Sequence, residues 1–137
     1  MCYCGTDLDY EKCCGEYIDQ GAVPNTAEKL MRSRYSAFVV KNMIYLFNTH
    51  DPQTRDQFDL KSNSDWAGSV EFTRLEVLNA KQEANKALVE FRAHFKDLKT
   101  GVTSTHHELS KFRQQKGVWY FREGKLIADE PIQAPKS

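Results

Sequence analysis

The cysteines of this chain are confined to its N-terminus. All four, Cys2, Cys4, Cys13 and Cys14, lie within the first fourteen of 137 residues, and none follows. Two close pairs joined by a short turn can supply four thiolates to one tetrahedral zinc ion, which binds sulfur at about 2.3 Å. Disulfides or free thiols are the alternative, but adjacent Cys13 and Cys14 are a poor source of two independent cross-links. The spacing therefore favours one zinc ion per chain.

A site made of four cysteine thiolates is closed. No coordination position remains for water or substrate, so the predicted zinc is structural rather than catalytic. Its binding contributes on the order of 10 kcal/mol to folding residues 1–15, called the knuckle below, which have no hydrophobic core of their own. The knuckle is then either a staple for the fold or a surface that recognises a partner, and the spacing leaves both open.

The composition is that of one ordinary domain with a small appendage. The 137 residues are 40% hydrophobic, and 19 basic residues balance 19 acidic ones. A net charge of zero gives no bulk attraction to nucleic acid or to anionic membranes. The sequence has no apolar run of about 18 residues and no secretory signal pattern. Together with metal-spaced cysteines, this predicts a cytoplasmic protein without a membrane span.

The first half of the chain is predicted to be helical. Thr26 is placed to cap a helix N-terminus, because its hydroxyl can accept a hydrogen bond from the amide three residues on. Apolar residues then recur at helical spacing up to Tyr45, which predicts one helix running to about Asn48. The polar stretch 50–66 is expected to contain a short second helix at about residues 53–60.

From residue 69 the hydrophobic pattern changes to a period of two. The second predicted strand has the clearest alternation, with apolar residues at 87, 89, 91, 93 and 95. Consecutive strands with short turns form an antiparallel sheet. Helices followed by a sheet predict an α+β fold in which a long N-terminal helix packs on a curved antiparallel sheet. The predicted strands are residues 70–79, 87–96, 105–113 and 118–122.

The cysteine segment resembles a known zinc knuckle. Cys2-Tyr3-Cys4-Gly5, an aromatic Tyr10 and then Cys13-Cys14-Gly15 resemble the SEC-C motif, best known from the C-terminal tail of the preprotein-translocase motor ATPase. In that tail the fourth ligand is histidine, and here the matching position is Cys14. The resemblance implies zinc binding by the four cysteines and, by analogy, contact with a protein or ribonucleoprotein partner.

The rest of the chain extends this resemblance. Residues 26–38 (TAEKLMRSRYSAF), 49–55 (THDPQTR) and 66–68 (WAG) resemble the bacterial YchJ family. Members of that family join a SEC-C knuckle to a domain similar to nuclear transport factor 2, a cystatin-like roll. The implied division is a knuckle and linker in residues 1–20, the nuclear transport factor 2-like domain in residues 21–130, and a loose tail in residues 131–137.

Arg34 is the most informative residue outside the knuckle. At 100° per residue it lies between Leu30 and Phe38 on the apolar stripe of the first helix. A guanidinium on a core-facing stripe needs a carboxylate partner or a pocket, because burying it alone is prohibitive. Two interpretations stay open, an ion pair with Glu108 or Glu90 and an anion-binding role in a cavity.

Other residues suited to binding or proton transfer lie further along the chain. In the fold that the resemblance implies, the long helix and the concave sheet enclose a cone that some relatives use as an active site and others fill. His106 and His107 are neighbours on a predicted strand and point to opposite faces, which argues against a paired metal site. His107 with Glu108 is the candidate acid–base pair. With Arg34, the pocket candidates are Tyr35, His50, Arg55, Trp66, His107 and Glu108.

Aromatic residues crowd the C-terminal half and alternate with basic ones. Such a pattern is typical either of a core or of a surface that binds single-stranded nucleic acid. The neutral net charge favours the core. The residues are Phe91, Phe95, Phe112, Trp119, Tyr120 and Phe121, interleaved with Arg92, Lys111, Arg113 and Arg122.

Two hypotheses for function follow. The sequence has no phosphate loop, nucleophile elbow or metalloprotease helix, which favours a role other than catalysis. The leading hypothesis is a zinc-binding adaptor that contacts a protein or ribonucleoprotein through the knuckle. The alternative is an enzyme or a binder of a small anionic ligand, with Arg34 as anchor and His50 or His107 transferring a proton. A closed apolar core favours the adaptor, whereas a cavity containing Arg34 and a histidine favours the alternative.

Overall fold

The computed structural model describes residues 1–128 of the 137-residue chain. Within that range four α-helices precede four β-strands, and none of the helices has the length and apolar character needed to span a membrane. The expected loose tail at 131–137 lies outside the described residues. The elements are α1 (Cys14–Ile18), α2 (Ala27–Val39), α3 (Met43–Asn48), α4 (Leu60–Ser69), β1 (Val70–Glu83), β2 (Lys86–Asp97), β3 (Thr103–Gln115) and β4 (Val118–Leu126).

The four strands form one antiparallel sheet in sequence order. Each strand pairs with the next through a hairpin. The pairing of β1 with β2 shifts register twice, between Phe72 and Arg74 and between Val77 and Asn79. Such a bulge bends its strand and increases the local twist. The sheet therefore curves around the helices packed on one face, which confirms the predicted α+β fold.

Strand β2 confirms the predicted alternation. Ala87, Val89 and Ala93 are at most 5% exposed, so the odd-numbered residues of this strand face the helices. All four predicted strands are present. They run longer than expected, since β1 continues to Glu83 and β4 to Leu126.

The long helix expected to reach Asn48 ends instead at Val39. Its start is as predicted, because the Thr26 hydroxyl accepts a hydrogen bond from the Lys29 amide at 3.1 Å. Beyond the end of α2, Lys41 adopts a left-handed conformation with φ of 61°. A residue in that conformation cannot continue an α-helix, so α3 starts afresh in a new direction.

The break is a Schellman-type helix end. The Asn42 amide donates to the Ala37 carbonyl at 2.8 Å, and the Lys41 amide donates to the Phe38 carbonyl at 3.2 Å. Asn42 also caps α3, where its Oδ1 accepts from the Tyr45 amide at 3.0 Å. The expectation of one continuous helix is therefore wrong. Helical spacing persists across the break, and lysine stands where glycine usually marks such an end.

The short helix predicted at about residues 53–60 is misplaced. A single 3-10 turn forms at Arg55–Gln57, and the ten-residue helix α4 starts at Leu60. Asp59 caps α4, because its Oδ1 accepts a hydrogen bond from the Ser62 amide at 3.0 Å. The helix therefore carries Trp66, which lies at the end of the polar stretch 50–66.

One buried cluster joins α2, the sheet and the knuckle. Leu30 and Tyr35 of α2 belong to it with Phe112 and Trp119 of the sheet, and so do Cys2, Cys4 and Cys14. The knuckle therefore packs on the domain rather than hanging from a linker, and α1 forms where part of that linker was expected. A smaller cluster joins α2, α3 and α4 through Ala37, Met43, Leu46 and Ala67.

The aromatic residues of the C-terminal half belong largely to the interior. Phe112 and Trp119 are each 2% exposed. Two of the interleaved arginines, Arg113 and Arg122, hydrogen-bond to the buried carboxylate of Asp51. The alternating pattern thus builds a core and an ion network, which is the interpretation that the neutral net charge favours.

Candidate functional site

The four cysteines converge on one point. Their Sγ atoms all lie within 4.8 Å of one another, and those of Cys4 and Cys13 are 3.7 Å apart. Tetrahedral sulfur ligands at about 2.3 Å from zinc are separated by about 3.8 Å, so this spacing fits a four-coordinate metal ion. None of the four thiols is in a disulfide. The donor set is therefore compatible with metal binding by Cys2, Cys4, Cys13 and Cys14.

Two glycines shape the knuckle. Gly5 has φ of 98°, and its amide donates to the Cys2 carbonyl at 3.0 Å, so the chain turns back between the first two cysteines. A Cβ at Gly15 would lie 2.7 Å from the Tyr10 carbonyl oxygen and 2.9 Å from the Tyr10 ring. Only glycine allows that close approach, which brings the second cysteine pair under the tyrosine.

The thiols share their protons unequally. A hydrogen bond from the Cys14 side chain lowers the pKa of Cys4 to about 4. The same bond, together with burial, raises the pKa of Cys14, and burial raises that of Cys13. Thr6 Oγ1 lies 3.1 Å from the Sγ of Cys13 and supplies a further polar contact. Cys4 is thus the thiol that ionises most readily among these three, and the thiolate is the form of cysteine that binds metal ions.

Helix α2 holds the knuckle through two side chains that sequence reasoning missed. Arg32 donates from Nη1 to the Cys4 carbonyl oxygen at 2.8 Å, and its Nε pairs with Glu28 at 3.0 Å. Ser36 Oγ lies 3.8 Å from the Sγ of Cys2. Arg32 and Ser36 are four residues apart, so they lie one above the other on one helix face. That shared face is the signal that identifies them as knuckle contacts.

A cavity of about 360 Å³ lies between α2, α4, the 49–59 loop and the concave face of the sheet. Five of the seven pocket candidates line it, Arg34, Tyr35, His50, Trp66 and Glu108, whereas Arg55 and His107 do not. His106 and Ser110 add polar groups to the wall. The apolar wall is mostly aromatic and includes Phe38, Phe58, Phe72, Phe91, Phe112 and Phe121.

Arg34 enters this cavity from α2. It is 9% exposed, and its Nη1 donates to the Leu46 carbonyl at 2.9 Å and to Thr49 Oγ1 at 2.6 Å. Its Cζ lies 4.5 Å from the centre of the Phe121 ring. Burial lowers the pKa of Arg34 to about 10, so the guanidinium remains a cation at neutral pH. Its Nε and Nη2 have no acceptor within residues 1–128.

The ion pair proposed for Arg34 does not form. Within the described chain no carboxylate oxygen lies within 4 Å of its nitrogens. Glu90 lies on the opposite face of the sheet, where its Oε2 is 2.7 Å from His107 Nε2. Glu108 shares the cavity with Arg34 but is held by other groups. Arg34 is therefore a cation whose charge no direct carboxylate contact compensates.

Glu108 has its own partners on β3. His106 donates from Nε2 to Glu108 Oε1 at 2.7 Å, and Ser110 donates from Oγ to Oε2. Burial alone would raise the pKa of Glu108, but these hydrogen bonds and the positive charge of Arg34 hold it below its ordinary value. A Cβ at Gly124 would overlap the Glu108 carboxylate at Oε2. The glycine on the neighbouring strand thus leaves the space that the carboxylate fills.

The expected pairing of His107 with Glu108 is wrong. Successive residues of a strand point to opposite faces, so Glu108 shares its face with His106 and His107 shares its face with Leu109. The same parity rule that separates the two histidines identifies His106 as the neighbour of Glu108. His107 is instead paired with Glu90 outside the cavity.

Arg55 lies outside the cavity wall and fixes the loop after α3. It donates from Nε and Nη2 to the His50 carbonyl at 3.1 and 2.9 Å, and from Nη2 to the Asn48 carbonyl at 3.0 Å. Its Cζ lies 5.2 Å from the Phe47 ring centre. These contacts position His50, which lines the cavity together with Gln57 and Phe58 of the same loop.

His50 is 6% exposed and brings an acceptor nitrogen. Its Nε2 lies 3.0 Å from Thr54 Oγ1, and that hydroxyl donates to the Arg122 carbonyl at 3.2 Å. Because the threonine proton is committed, the histidine carries its own proton on Nε2. Its Nδ1 then accepts and has no partner within residues 1–128. Burial and the nearby Arg34 lower the pKa of His50, so it is neutral at pH 7.

The fold and these sites define a class, an α+β domain of the nuclear transport factor 2-like type with a cysteine knuckle packed on its first long helix. A family model described as "YchJ, middle NTF2-like domain" matches residues 26–124. The chain belongs to the YchJ family, as its motifs predict. The matched range lies inside the domain expected at residues 21–130.

Relatives and solved structures agree with this assignment. A UPF0225 protein of Geobacter sulfurreducens is 36% identical and the match covers 99% of this chain and 85% of the relative. A SEC-C motif containing protein from Rhodopseudomonas palustris has a TM-score of 0.86 at 38% identity, covering 93% of this chain and 98% of the other. A SEC-C motif containing protein from Psychrobacter arcticus has a TM-score of 0.73 at 33% identity, with 95% and 79% coverage.

A more distant structure shares the fold alone. A putative calcium/calmodulin-dependent protein kinase type II association domain from Thiobacillus denitrificans has a TM-score of 0.59 at 8% identity, covering 78% of this chain and 99% of the other. At that identity the likeness extends to the path of the chain and carries no residue roles.

Proposed function

We propose that this chain binds a small anionic ligand in the cavity, with Arg34 as the anchor of the negative group. The observation that carries the proposal is the buried guanidinium of Arg34, which donates hydrogen bonds to the protein only from Nη1. Burying a cation without a carboxylate partner costs free energy. An anion in the cavity compensates that charge and accepts hydrogen bonds from the two remaining groups, Nε and Nη2.

The cavity supports binding over a purely structural core. Its volume of about 360 Å³ lies in the range of small-molecule sites. His50 and His106 line it together with Arg34, which is the combination that favours a ligand site over a closed core. Its mostly aromatic walls lower the local dielectric constant, and this strengthens the electrostatic interactions of the polar groups.

The test compares Arg34→Met with Arg74→Met. The first removes a buried cation at similar volume, and the second removes one that is 62% exposed on β1. With 3-phenylpropionate as the probe in isothermal titration calorimetry, we expect Arg34→Met to bind about 10- to 100-fold more weakly than the wild type, as expected for a lost charge-assisted hydrogen bond. Arg74→Met should bind normally. Equal affinities for the wild type and Arg34→Met would overturn the proposal.

For the knuckle we propose zinc, one ion per chain, in a structural role. A tetrahedral set of four thiolates is typical of structural zinc sites and closes the coordination shell of the metal. Such a site requires reduced cysteines, so we place the protein in the cytoplasm. Elemental analysis after purification without chelator should give about one zinc per chain, and Cys13→Ser should abolish it. Less than half an equivalent in the wild type, with the thiols recovered as disulfides, would refute the assignment.

An adaptor role for the knuckle is the second candidate, and it rests on exposed apolar side chains. Met1, Tyr3 and Leu8 are 80%, 51% and 52% exposed around the cysteine cluster. A rigid knuckle that presents such groups suits contact with a protein or ribonucleoprotein partner.

The adaptor role is tested by co-sedimentation of the zinc-loaded protein with purified bacterial ribosomes. We expect the wild type to sediment with them and the double variant Tyr3→Ser, Leu8→Ser to remain in the supernatant. Ile44→Ser, which changes a residue that is 70% exposed on α3, is the matched control. No sedimentation of the wild type, or no effect of the double variant, would remove this candidate.

A further inference from the structure

Two opposite charges share one cavity without touching. Arg34 reaches it from helix α2 and Glu108 from strand β3. Each influences the other's titration, so they lie within electrostatic range. Yet no oxygen of Glu108 comes within 4 Å of a nitrogen of Arg34. In a mostly aromatic cavity, a direct ion pair would be the usual way to compensate both charges.

The two side chains are held apart by the protein. Arg34 is drawn toward the end of α3, where Leu46 and Thr49 accept from its Nη1. Glu108 is fixed along β3 by hydrogen bonds from His106 and Ser110. The separation is therefore built into the architecture, because each charged group is anchored to its own wall.

Both groups keep unused hydrogen-bonding capacity. Arg34 has Nε and Nη2 to donate. A carboxylate has about four lone-pair positions, and Glu108 uses one on each oxygen, for His106 and for Ser110. The Glu108 side chain is 16% exposed, so the remaining positions are accessible. The cavity thus offers donors from helix α2 and acceptors from strand β3.

We infer that the cavity binds a zwitterion with an aromatic or bulky apolar body, whose carboxylate contacts Arg34 and whose ammonium group contacts Glu108. This inference rests on the proposed function and narrows its ligand class from anions to amino-acid-like molecules. A simple anion satisfies Arg34 but leaves Glu108 close to a second negative charge. A zwitterion compensates the charges of both Arg34 and Glu108 and leaves the net charge of the cavity unchanged.

The apolar wall favours an aromatic body. Rings of Trp66, Phe72, Phe91 and Phe121 line the cavity. The Trp66 ring lies 5.3 Å from that of Phe72 in an edge-to-face arrangement, so a further ring extends an existing aromatic cluster. Phenylalanine is small enough for a cavity of about 360 Å³.

Three probes with a common phenyl ring and two-carbon chain test the inference by isothermal titration calorimetry. L-Phenylalanine has both charges, 3-phenylpropionate has only the carboxylate, and 2-phenylethylamine has only the ammonium group. We expect the wild type to bind L-phenylalanine at least tenfold more tightly than either singly charged probe.

Two variants test which charged group of the ligand contacts Arg34 and which contacts Glu108. Arg34→Met should weaken phenylalanine and phenylpropionate at least tenfold and leave phenylethylamine unchanged. Glu108→Gln, which keeps the shape of the side chain, should weaken the binding of phenylalanine and phenylethylamine at least tenfold and should not weaken the binding of phenylpropionate, since it removes a like charge from the site. The control Glu71→Gln removes a carboxylate that is 59% exposed on β1 and should bind all three probes like the wild type. Circular dichroism melting curves establish that each variant is folded.

The outcomes separate this inference from the proposed function. If the wild type binds phenylpropionate as tightly as phenylalanine and Glu108→Gln has no effect, the site takes simple anions, so the inference fails and the proposed function stands. If neither carboxylate probe depends on Arg34, both fail. A third outcome also overturns the inference. In it, the folded wild type shows no measurable binding of phenylalanine, even at ten times the concentration at which phenylpropionate binds.

Discussion

Arg32 donates a hydrogen bond from Nη1 to the carbonyl oxygen of Cys4 over 2.8 Å, and this bond ties helix α2 to the loop that carries the first two cysteines. The Arg32 side chain is 24% exposed and is also held by Glu28. It places a positive charge beside a cluster of thiols. The cysteine knuckle is therefore attached to the same helix whose next turns line the cavity.

Replacing Arg32 with methionine should loosen the knuckle without removing a cysteine. Residues that orient metal ligands from outside the coordination shell typically contribute about 10- to 100-fold to metal affinity. We expect zinc transfer from Arg32→Met to the chromogenic chelator 4-(2-pyridylazo)resorcinol to be faster by about that factor. Lys29→Met changes an exposed residue on the same helix and serves as the control. Equal release rates for both variants would mean that the knuckle does not depend on this bond.

The ion network around Asp51 should stabilise the fold above acidic pH. Asp51 is fully buried and accepts from Arg113 at 2.6 and 2.7 Å and from Arg122 at 3.1 Å. The Arg113 hydrogen bonds hold the pKa of Asp51 far below its usual value. Because the pKa is depressed in the folded state, the stabilisation is present above the unfolded pKa of about 3.9 and is lost as the pH falls toward the folded value.

Asp51→Asn should therefore lower the free energy of unfolding by about 2–3 kcal/mol at pH 7, less than for a fully buried pair because both arginines reach solvent. This difference in the free energy of unfolding between the wild type and Asp51→Asn should become smaller below about pH 4. Urea unfolding at pH 7 and pH 3 measures both values. Asp65→Asn, which removes an exposed pair with Lys61, should cost less than about 0.5 kcal/mol. A deficit that is the same at both pH values would exclude the ion network as its cause.

Lys41→Gly should stabilise the protein. Lys41 has a left-handed φ of 61° at the end of α2, which is unfavourable for any residue with a Cβ. Glycine removes that strain at some entropic cost, so we expect a net gain of about 0.5–1 kcal/mol in thermal or urea unfolding. Lys29→Gly, inside α2, should lower the free energy of unfolding by about 0.5–1 kcal/mol. A loss for Lys41→Gly would indicate that the helix continues through this position.

Gly124→Ala should displace Glu108. The new Cβ would overlap Glu108 Oε2, and the flexible carboxylate can move away at a cost of less than about 1–2 kcal/mol. Binding of L-phenylalanine should then fall to the level of Glu108→Gln. Gly68→Ala is the control, because a Cβ there meets nothing within 4 Å. This variant should bind L-phenylalanine normally, and its free energy of unfolding should rise by up to about 1 kcal/mol. Unchanged phenylalanine binding by Gly124→Ala would show that the position of Glu108 does not matter for the ligand.

Much of the architecture could be predicted because it depends on local patterns. Alternation over residues 87–95 specified which face of β2 is buried, and the Thr26 cap specified where α2 starts. The end of α2 could not be predicted in the same way. Lys41 has no intrinsic preference for the left-handed conformation, and the packing of α3 against α2 decides that it adopts it.

The alternation of side chains along strand β3 could be predicted from the sequence, but it does not identify which face of the strand lines the cavity. It separates His106 from His107 and places His106 on the face of Glu108. It does not say which face meets the helix, since that depends on how β3 pairs with β2 and on which side α2 packs. The candidate His107 was therefore placed on the wrong side of the sheet.

By itself the sequence determined the family and identified the four cysteines that converge on one point, because both signals lie in short contiguous segments whose spacing is independent of the rest of the chain. It also determined that Arg34 faces the core, since helical periodicity sets the direction of a side chain. Only the tertiary structure decided what surrounds that guanidinium. Which carboxylate approaches Arg34, and at what distance, depends on contacts between α2, α3 and β3, and these join residues that are far apart in sequence.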